Sequence, residues 1–256
     1  MKKDDKQNPL VSVWLLVYNN HEEVAKSVEG IMAQTYDNIQ VIISDDGSNN
    51  YDSSVLLGYR EKIEKRFPNV KIFCNEINVG TVKHLNKVIK ESDGIYMMPC
   101  SSGDVFYDKD TVKKTVDYMV KKDALFLAGR HEDTYLNGDE VIRKKIRPAF
   151  FFPILFGLCP GLMHKYMLNV KNVISGCAVC YSRGLFDKYG CFDEQYRLLE
   201  DFPYYLMLLE KGEKIHFKNR PFVKHMMGGV SNGQVNPLVL KDLEKLKENY
   251  KLNGKQ

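Results

Sequence analysis

Three acidic sites in this chain stand where chemistry is possible. Asp45 and Asp46 are adjacent at the end of an apolar run, "QVIISDDGSN". Asp104 closes "IYMMPCSSGD", and Glu200-Asp201 form a second adjacent pair in "LLEDFPYYLMLLEKG". Gathered carboxylates repel one another, and they are tolerated when they face water, hold a cation or accept hydrogen bonds from a ligand. A carboxylate can also take the proton of an attacking hydroxyl as a general base. Each site has a plainer reading. Asp-Asp-Gly-Ser is good turn chemistry, because Asp bonds its own backbone and Gly tolerates positive φ. An Asp at a helix start can simply cap it or offset its dipole.

Elements that would position these acids are legible in the first half. "VSVWLLV" (11–17) and "IQVIIS" (39–44) are continuous apolar runs, the pattern of strands covered on both faces. "VKIF" (70–73) and "IYMMPC" (95–100) read as two more strands. Helices fall between them. Asn20 is an N-cap candidate before Val24, Val28 and Ile31, and Asp52 precedes Leu56, Tyr59 and Ile63. Val82, Leu85 and Ile89 mark a third helix. Alternating strands and helices predict a mostly parallel sheet with helices on both faces, and ligands of such sheets bind beyond the carboxyl ends of the strands. Tyr18-Asn19, Asp45-Asp46 and Ser101-Ser102-Gly103-Asp104 then share one edge.

The second half is less regular. A helix carrying Val112, Val116 and Met119 precedes strand "ALFLAG" (124–129). The stretch to about 170 is charged, aromatic and Pro-rich, and "AFFFPILFGLCPGLM" (149–163) reads as a loop packed over a core, with an acceptor pocket or a lipid-touching patch as alternatives. "VISGCAVCY" (173–181) and "KIHF" (214–217) read as strands, and Val239, Leu243, Leu246 and Tyr250 as a final amphipathic helix.

Composition bounds the function. The chain has 256 residues, 44% hydrophobic and 27% charged, with a net charge of +4. That is an ordinary globular chain with enough residues for a substantial core. No tract of Lys and Arg interleaved with aromatics points to nucleic acid. The N-terminus "MKKDDKQNPL" lacks the apolar core of a signal peptide, and six cysteines without one imply a reducing, cytoplasmic setting. Cys177 and Cys180 form a lone CxxC, too few ligands for structural zinc and better read as small buried hydrophobes.

"VSVWLLVYNN", "SVEGIMAQTYDNIQVIISDDGSNN", "NVGTVKHLN", "GIYMMPCSSGDVF", "GLFDKYGCFDE", "LLEDFPYYLMLLEKG" and "GGVSNG" follow one another in an order and spacing that resembles family 2 glycosyltransferases, from about residue 10 to about 232. The resemblance implies the α/β GT-A fold of nucleotide-diphosphosugar transferases. In that fold a mostly parallel central sheet is flanked by helices and abuts an acceptor-binding half. The expected division is a nucleotide-sugar half (1–104), an acceptor-binding and catalytic half (105–236) and a C-terminal amphipathic helix (237–256), all within one GT-A domain.

The resemblance also assigns roles. Tyr18 would stack on the nucleotide base, Asp45 would accept from it, and Asp46 would lie near the ribose or set the turn. Asn19, Lys83 and Ser102 join the nucleotide set, although Lys83 can equally be a solvated helix residue. The family's acidic metal motif is reduced here to Ser101-Ser102-Gly103-Asp104, so Asp104 would hold Mg²⁺ or Mn²⁺ alone among its acids, with His225 as a further ligand. Ser101, Gly176 and Glu200 would face sugar or acceptor, and Asp201 would be the catalytic base.

The implied activity is inverting transfer of a sugar from a nucleotide-diphosphate donor, UDP above all. The acceptor would be a glycan or a lipid-linked molecule of surface polysaccharide synthesis. The setting would be cytoplasmic, with peripheral contact at the inner membrane face as an option and no nucleic acid partner. Arg143, Lys144, Lys145 and Arg147 are a solvated charge run or a lure for an anionic acceptor or lipid. Two rivals differ in class. A non-catalytic or degenerate sugar-nucleotide-binding subunit would bind without turnover. A nucleotidyltransferase would need a Gly-rich basic loop where "VYNNHEEV" stands.

Overall fold

The computed structural model describes residues 8–49, 53–137, 140–226 and 236–251. Asp52 and the "GGVSNG" block lie outside them. Strand β1 (Val11–Val17) leads through a 3-10 turn (His21–Glu23) into helix α1 (Val24–Met32). β2 (Ile39–Asp45), α2 (Ser53–Glu64), β3 (Asn69–Cys74), α3 (Thr81–Glu91) and β4 (Tyr96–Ser101) continue the alternation. β5 (Val105–Phe106), α4 (Thr111–Lys122), β6 (Phe126–Asn137) and β7 (Glu140–Arg147) follow. The chain closes with α5 (Phe151–Leu158), α6 (Pro160–Asn169), β8 (Val179–Ser182), α7 (Arg183–Tyr189), α8 (Asp201–Glu210), β9 (His216–Met226) and α9 (Pro237–Tyr250).

One nine-stranded sheet runs β3-β2-β1-β4-β8-β6-β9-β5, with β7 paired to β6. β1 to β4 are mutually parallel where they pair, and β8 joins antiparallel to both β4 and β6. The apolar runs explain the layering. Val11, Val13, Leu15 and Val17 face one core with Val24, Val28 and Ile31, while Trp14 faces the other with Val82, Leu85 and Met163. Period-two side chains covered on both sides give a strand no solvent face, hence no polar alternation. Register then places the chemistry. Val17 lies opposite Asp45 and Leu16 opposite Ser101, so the loops after β1, β2 and β4 leave the same edge together.

The structure departs from the sequence reading at several points. Residues 149–163, expected as a loop, form α5 and the start of α6, with Pro160 at the first turn of α6, where its missing N–H costs nothing. The "ALFLAG" and "KIHF" strands are longer than their apolar cores, because β6 and β9 pair with each other well beyond them. Asn20 makes no side-chain cap, and its amide reaches across to β4 instead. No described helix is long and apolar enough to cross a membrane.

Candidate active site

The pair Asp45-Asp46 splits in two directions. Asp45 is fully buried and accepts from the Ser48 amide (2.8 Å), the Ser48 hydroxyl (2.6 Å) and His21 Nε2 (2.9 Å). Asp46 turns to the other side and accepts from Asn75 Nδ2 (2.8 Å), Asn78 Nδ2 (3.1 Å) and the amides of Val79 and Gly80 (both 3.1 Å). Seven donors offset two adjacent charges. The turn itself needs glycine: Gly47 has φ +69°, and a Cβ there would meet Ile77 backbone at 2.3 Å. Both oxygens of Asp46 are thus engaged by the 75–80 loop.

The loop after β1 binds this region to the loop after β4. Asn20 Nδ2 donates to Ser102 O (3.0 Å), and Ser102 Oγ donates back to Asn20 O (2.9 Å). Asn19 sits at φ +55°, and its side-chain oxygen accepts from the Asn49 amide at 2.9 Å. Tyr18 is 41% exposed beside them. Asn19, His21, Glu22, Ser48 and Asn49 line a cleft of about 250 Å³. Lys83 is exposed on α3, while its neighbour His84 is buried against Ser44 (2.5 Å).

Asp104 lies on the far side of the Ser102 bridge, almost wholly buried. Its Oδ1 is 2.7 Å from His225 Nδ1. Burial lowers the His225 pKa, but the Asp104 carboxylate outweighs it, and the imidazole ends above its ordinary value. Cys177 completes a group whose donor atoms all lie within 4.8 Å of one another. Burial, then the Asp104 charge, pushes its thiol well up. Carboxylate oxygen, imidazole nitrogen and thiol sulfur together fit a divalent cation, and the nitrogen and sulfur favour transition ions over the oxygen-preferring Mg²⁺. Behind His225 stands His131, ring to ring at 6.2 Å, with Nε2 3.2 Å from Asp133 Oδ1.

Cys177 also ties this group to the second acidic pair, through its neighbour Gly176. A Cβ on Gly176 would lie 3.3 Å from Glu200 Oε1 and 3.6 Å from Asp201 Oδ2. The backbone approach that glycine permits is therefore the floor of the acid pair. Asp201 opens α8 and accepts from its own helix at the Phe202 amide (2.5 Å) and from Asn172 Nδ2 (3.3 Å). Both acids are half-buried and densely surrounded. Burial pushes Asp201 up to about 6, against the pull of those donors. Burial and then the Asp201 charge lift Glu200 further. A carboxyl raised toward neutrality, ionised above pH 6, has the basicity a general base needs. The loop before it is pinned from α9: Asp242 Oδ2 accepts from the amides of Arg197 (2.9 Å), Leu198 (2.6 Å) and Leu199 (3.1 Å).

Contacts thus run unbroken from Asp45 through the β1 loop to Ser102 and Asp104, and through Cys177 and Gly176 to Asp201. Sequence reasoning missed His21, Cys177, Asn172 and Asp242. His21 stands three residues after Tyr18, and Cys177 adjoins the already singled-out Gly176, so proximity in sequence was the available signal. Cys180 is buried in the core as expected; Cys177 is the cysteine that faces the site. Asn172 and Asp242 have no such signal, since each meets its partner only through tertiary packing.

Comparison with known proteins identifies the family and the fold. Residues 12–190 match the family described as Glycosyl transferase family 2. An uncharacterised glycosyltransferase of Rickettsia typhi is 25% identical over 94% of this chain and 70% of its own length. A second, from Rickettsia felis, is covered over only 35% of its length, so the chain spans between a third and two thirds or slightly more of such relatives. WfgD of Escherichia coli, a UDP-Glc:alpha-D-GlcNAc-diphosphoundecaprenol beta-1,3-glucosyltransferase, is 22% identical over 54% of this chain and 51% of its own. Among solved structures, S. aureus TarS 1–349 in complex with UDP-GlcNAc superposes with a TM-score of 0.67 at 17% identity, over 96% of this chain and 68% of that one. The mannosyltransferase PcManGT of Pyrobaculum calidifontis, in complex with GDP-Man and Mn²⁺, gives 0.69 at 14% identity, over 97% and 66%. The fold is GT-A, and the chain belongs to glycosyl transferase family 2.

Proposed function

We infer that this chain is an inverting glycosyltransferase that moves a sugar from a UDP-linked donor to a glycan or lipid-linked acceptor. The observation that carries this reading is the adjacency of Gly176 and Cys177. One touches the raised carboxyls Glu200 and Asp201, and the other belongs to the Asp104–His225 group. A base and a diphosphate-neutralising centre are thereby held one residue apart. TarS in complex with UDP-GlcNAc and WfgD acting from UDP-Glc support the UDP donor, and WfgD also supports a lipid-linked acceptor.

In this reading Tyr18 offers its exposed ring to the base, beside a cleft walled by Asn19 and Ser48. Asp45 fixes His21 and Ser48 at that wall, and it serves the base directly once either donor yields. Ser101 and Ser102 line the path from ribose to sugar. Asp104 and His225, with Cys177 beside them, would hold Mn²⁺, which neutralises the departing diphosphate when bound. Asp201 takes the acceptor hydroxyl's proton, and Glu200, still protonated near neutrality, is placed to donate a hydrogen bond to acceptor or sugar. Peripheral contact with a membrane follows from a lipid-linked acceptor.

The test is a thermal-shift series with UDP, with and without Mn²⁺, beside UDP-sugar hydrolysis. A ligand of the folded state raises its apparent stability. Asp45→Ala is expected to abolish the UDP shift, and Asp104→Ala to abolish only its Mn²⁺ dependence. Turnover in wild type separates an enzyme from a mere binder. An unchanged Mn²⁺ effect in Asp104→Ala would overturn the assignment of the cation to this group.

A further inference from the structure

The surface formed by α5 and α6 differs from the rest of the molecule. Between Glu140 and Asp187 the sequence holds no Asp or Glu over 46 residues, although about one residue in eight of the chain is acidic. The same stretch holds Arg143, Lys144, Lys145, Arg147, Lys165, Lys171 and Arg183. Of the twelve large hydrophobic residues exposed among the described residues, six fall between 150 and 170. Phe150, Phe151, Ile154 and Leu155 are 41% to 61% exposed. Their spacing places them on one side of α5, since residues three and four apart share a helix face. Leu162 and Val170 extend the patch along α6.

This exposure is not slack packing. Phe152 turns inward to meet Tyr166 of α6 ring to ring at 5.4 Å, and Met163 and Met167 are buried in the core. Arg130 Nε holds the corner before α5 through Pro148 O at 2.8 Å. The helix pair is thus anchored on one face and apolar on the other. Lys165 on α6 and Lys171 just after it are exposed, as is Lys145 on β7. An apolar helical face with lysines and no carboxylate of its own, Glu210 of α8 lying 3.9 Å from His164 of α6, is complementary to an anionic interface, with apolar chains beneath negative headgroups. The patch also ends at the site: Lys171 precedes Asn172, whose amide reaches Asp201.

We propose that the α5–α6 face docks the protein on an anionic phospholipid bilayer and so brings Asp201 to acceptors anchored there. The proposal deepens the glycosyltransferase reading by naming the surface from which a lipid-linked acceptor arrives. It commits to a bilayer rather than a second copy of the chain because like-charged rims on two copies would repel.

The test is sedimentation with large unilamellar vesicles of phosphatidylcholine alone or with about 30% phosphatidylglycerol, where each lysine near the surface is worth about fivefold in affinity. Binding to the anionic vesicles is expected, falling at least about tenfold on pure phosphatidylcholine, as several lysines acting together require. Phe151→Ser with Ile154→Ser should abolish sedimentation with both vesicle types. Lys145→Glu with Lys165→Glu should remove only the anionic preference. All four positions are exposed, so melting temperature and the UDP shift should hold in every variant. Those readouts need no vesicles, so they also separate failure here from failure of the glycosyltransferase reading. No binding to anionic vesicles, or binding indifferent to both double variants, overturns the proposal. So does a dimer by light scattering that Phe151→Ser with Ile154→Ser turns into a monomer.

Discussion

Two adjacent acid pairs stand in this molecule, and they are built differently. Asp45-Asp46 is enclosed and receives seven donors, including the amides of Ser48, Val79 and Gly80. Glu200-Asp201 is half-open, and Asp201 accepts from the Phe202 and Gly176 amides and from Asn172 at 3.3 Å. The donors around the first pair make it an anchor for two loops. At Glu200-Asp201 burial outweighs the donors and raises both carboxyls toward neutral pH, as the proposed base requires. The comparison separates structural acids from working ones where residue type alone cannot.

The contrast can be broken by several measurements. The largest effect is expected from pH. Asp201 must be ionised to accept a proton, so turnover should fall about tenfold per unit as pH drops below 6, read as a pH–rate profile. A flat profile from pH 7 to 4 would remove the base. Next comes Asp46→Ala, which strands four donors at once. Its cost is about 4 kcal/mol, at on the order of 1 kcal/mol for each of the four hydrogen bonds lost. Denaturant titration should show that loss, whereas Asp201→Asn should cost little or even stabilise, because it removes a buried charge.

Asp242→Ala should cost about 1–2 kcal/mol by exposing three amides of the loop before α8. It should lower kcat while leaving UDP affinity intact; parallel loss of both would mean a role in general stability only. Asn172→Ala should act least. Its amide favours the ionised form of Asp201, so the acid limb of the pH–rate profile should move to higher pH, and a shift to lower pH would contradict that assignment.

The first half was legible because its strands are apolar on both faces, a pattern that survives any tertiary context. Register followed, and with it the shared edge of Tyr18, Asp45 and Ser102. The second half resisted. α5 and α6 carry prolines and glycines that read as loop, yet Pro160 begins a helix and Gly157 and Gly161 meet open space. Cys177 looked like core because Cys180, three residues on, is core, whereas the strand begins only at Val179 and leaves Cys177 outside its alternation. Asp242 lies more than 40 residues from the amides it holds, and no local pattern encodes such a contact.

The account turns on Asp201 as the group that receives the acceptor's proton. Single-turnover transfer from a UDP-sugar, compared between wild type and Asp201→Asn with UDP affinity measured on the same samples, tests it most directly. The rate should fall about 10²- to 10⁴-fold while affinity stays within about twofold, because Asp201 meets Asn172 and Gly176 rather than the nucleotide cleft. An undiminished rate, or a rate lost only in step with affinity, would contradict it.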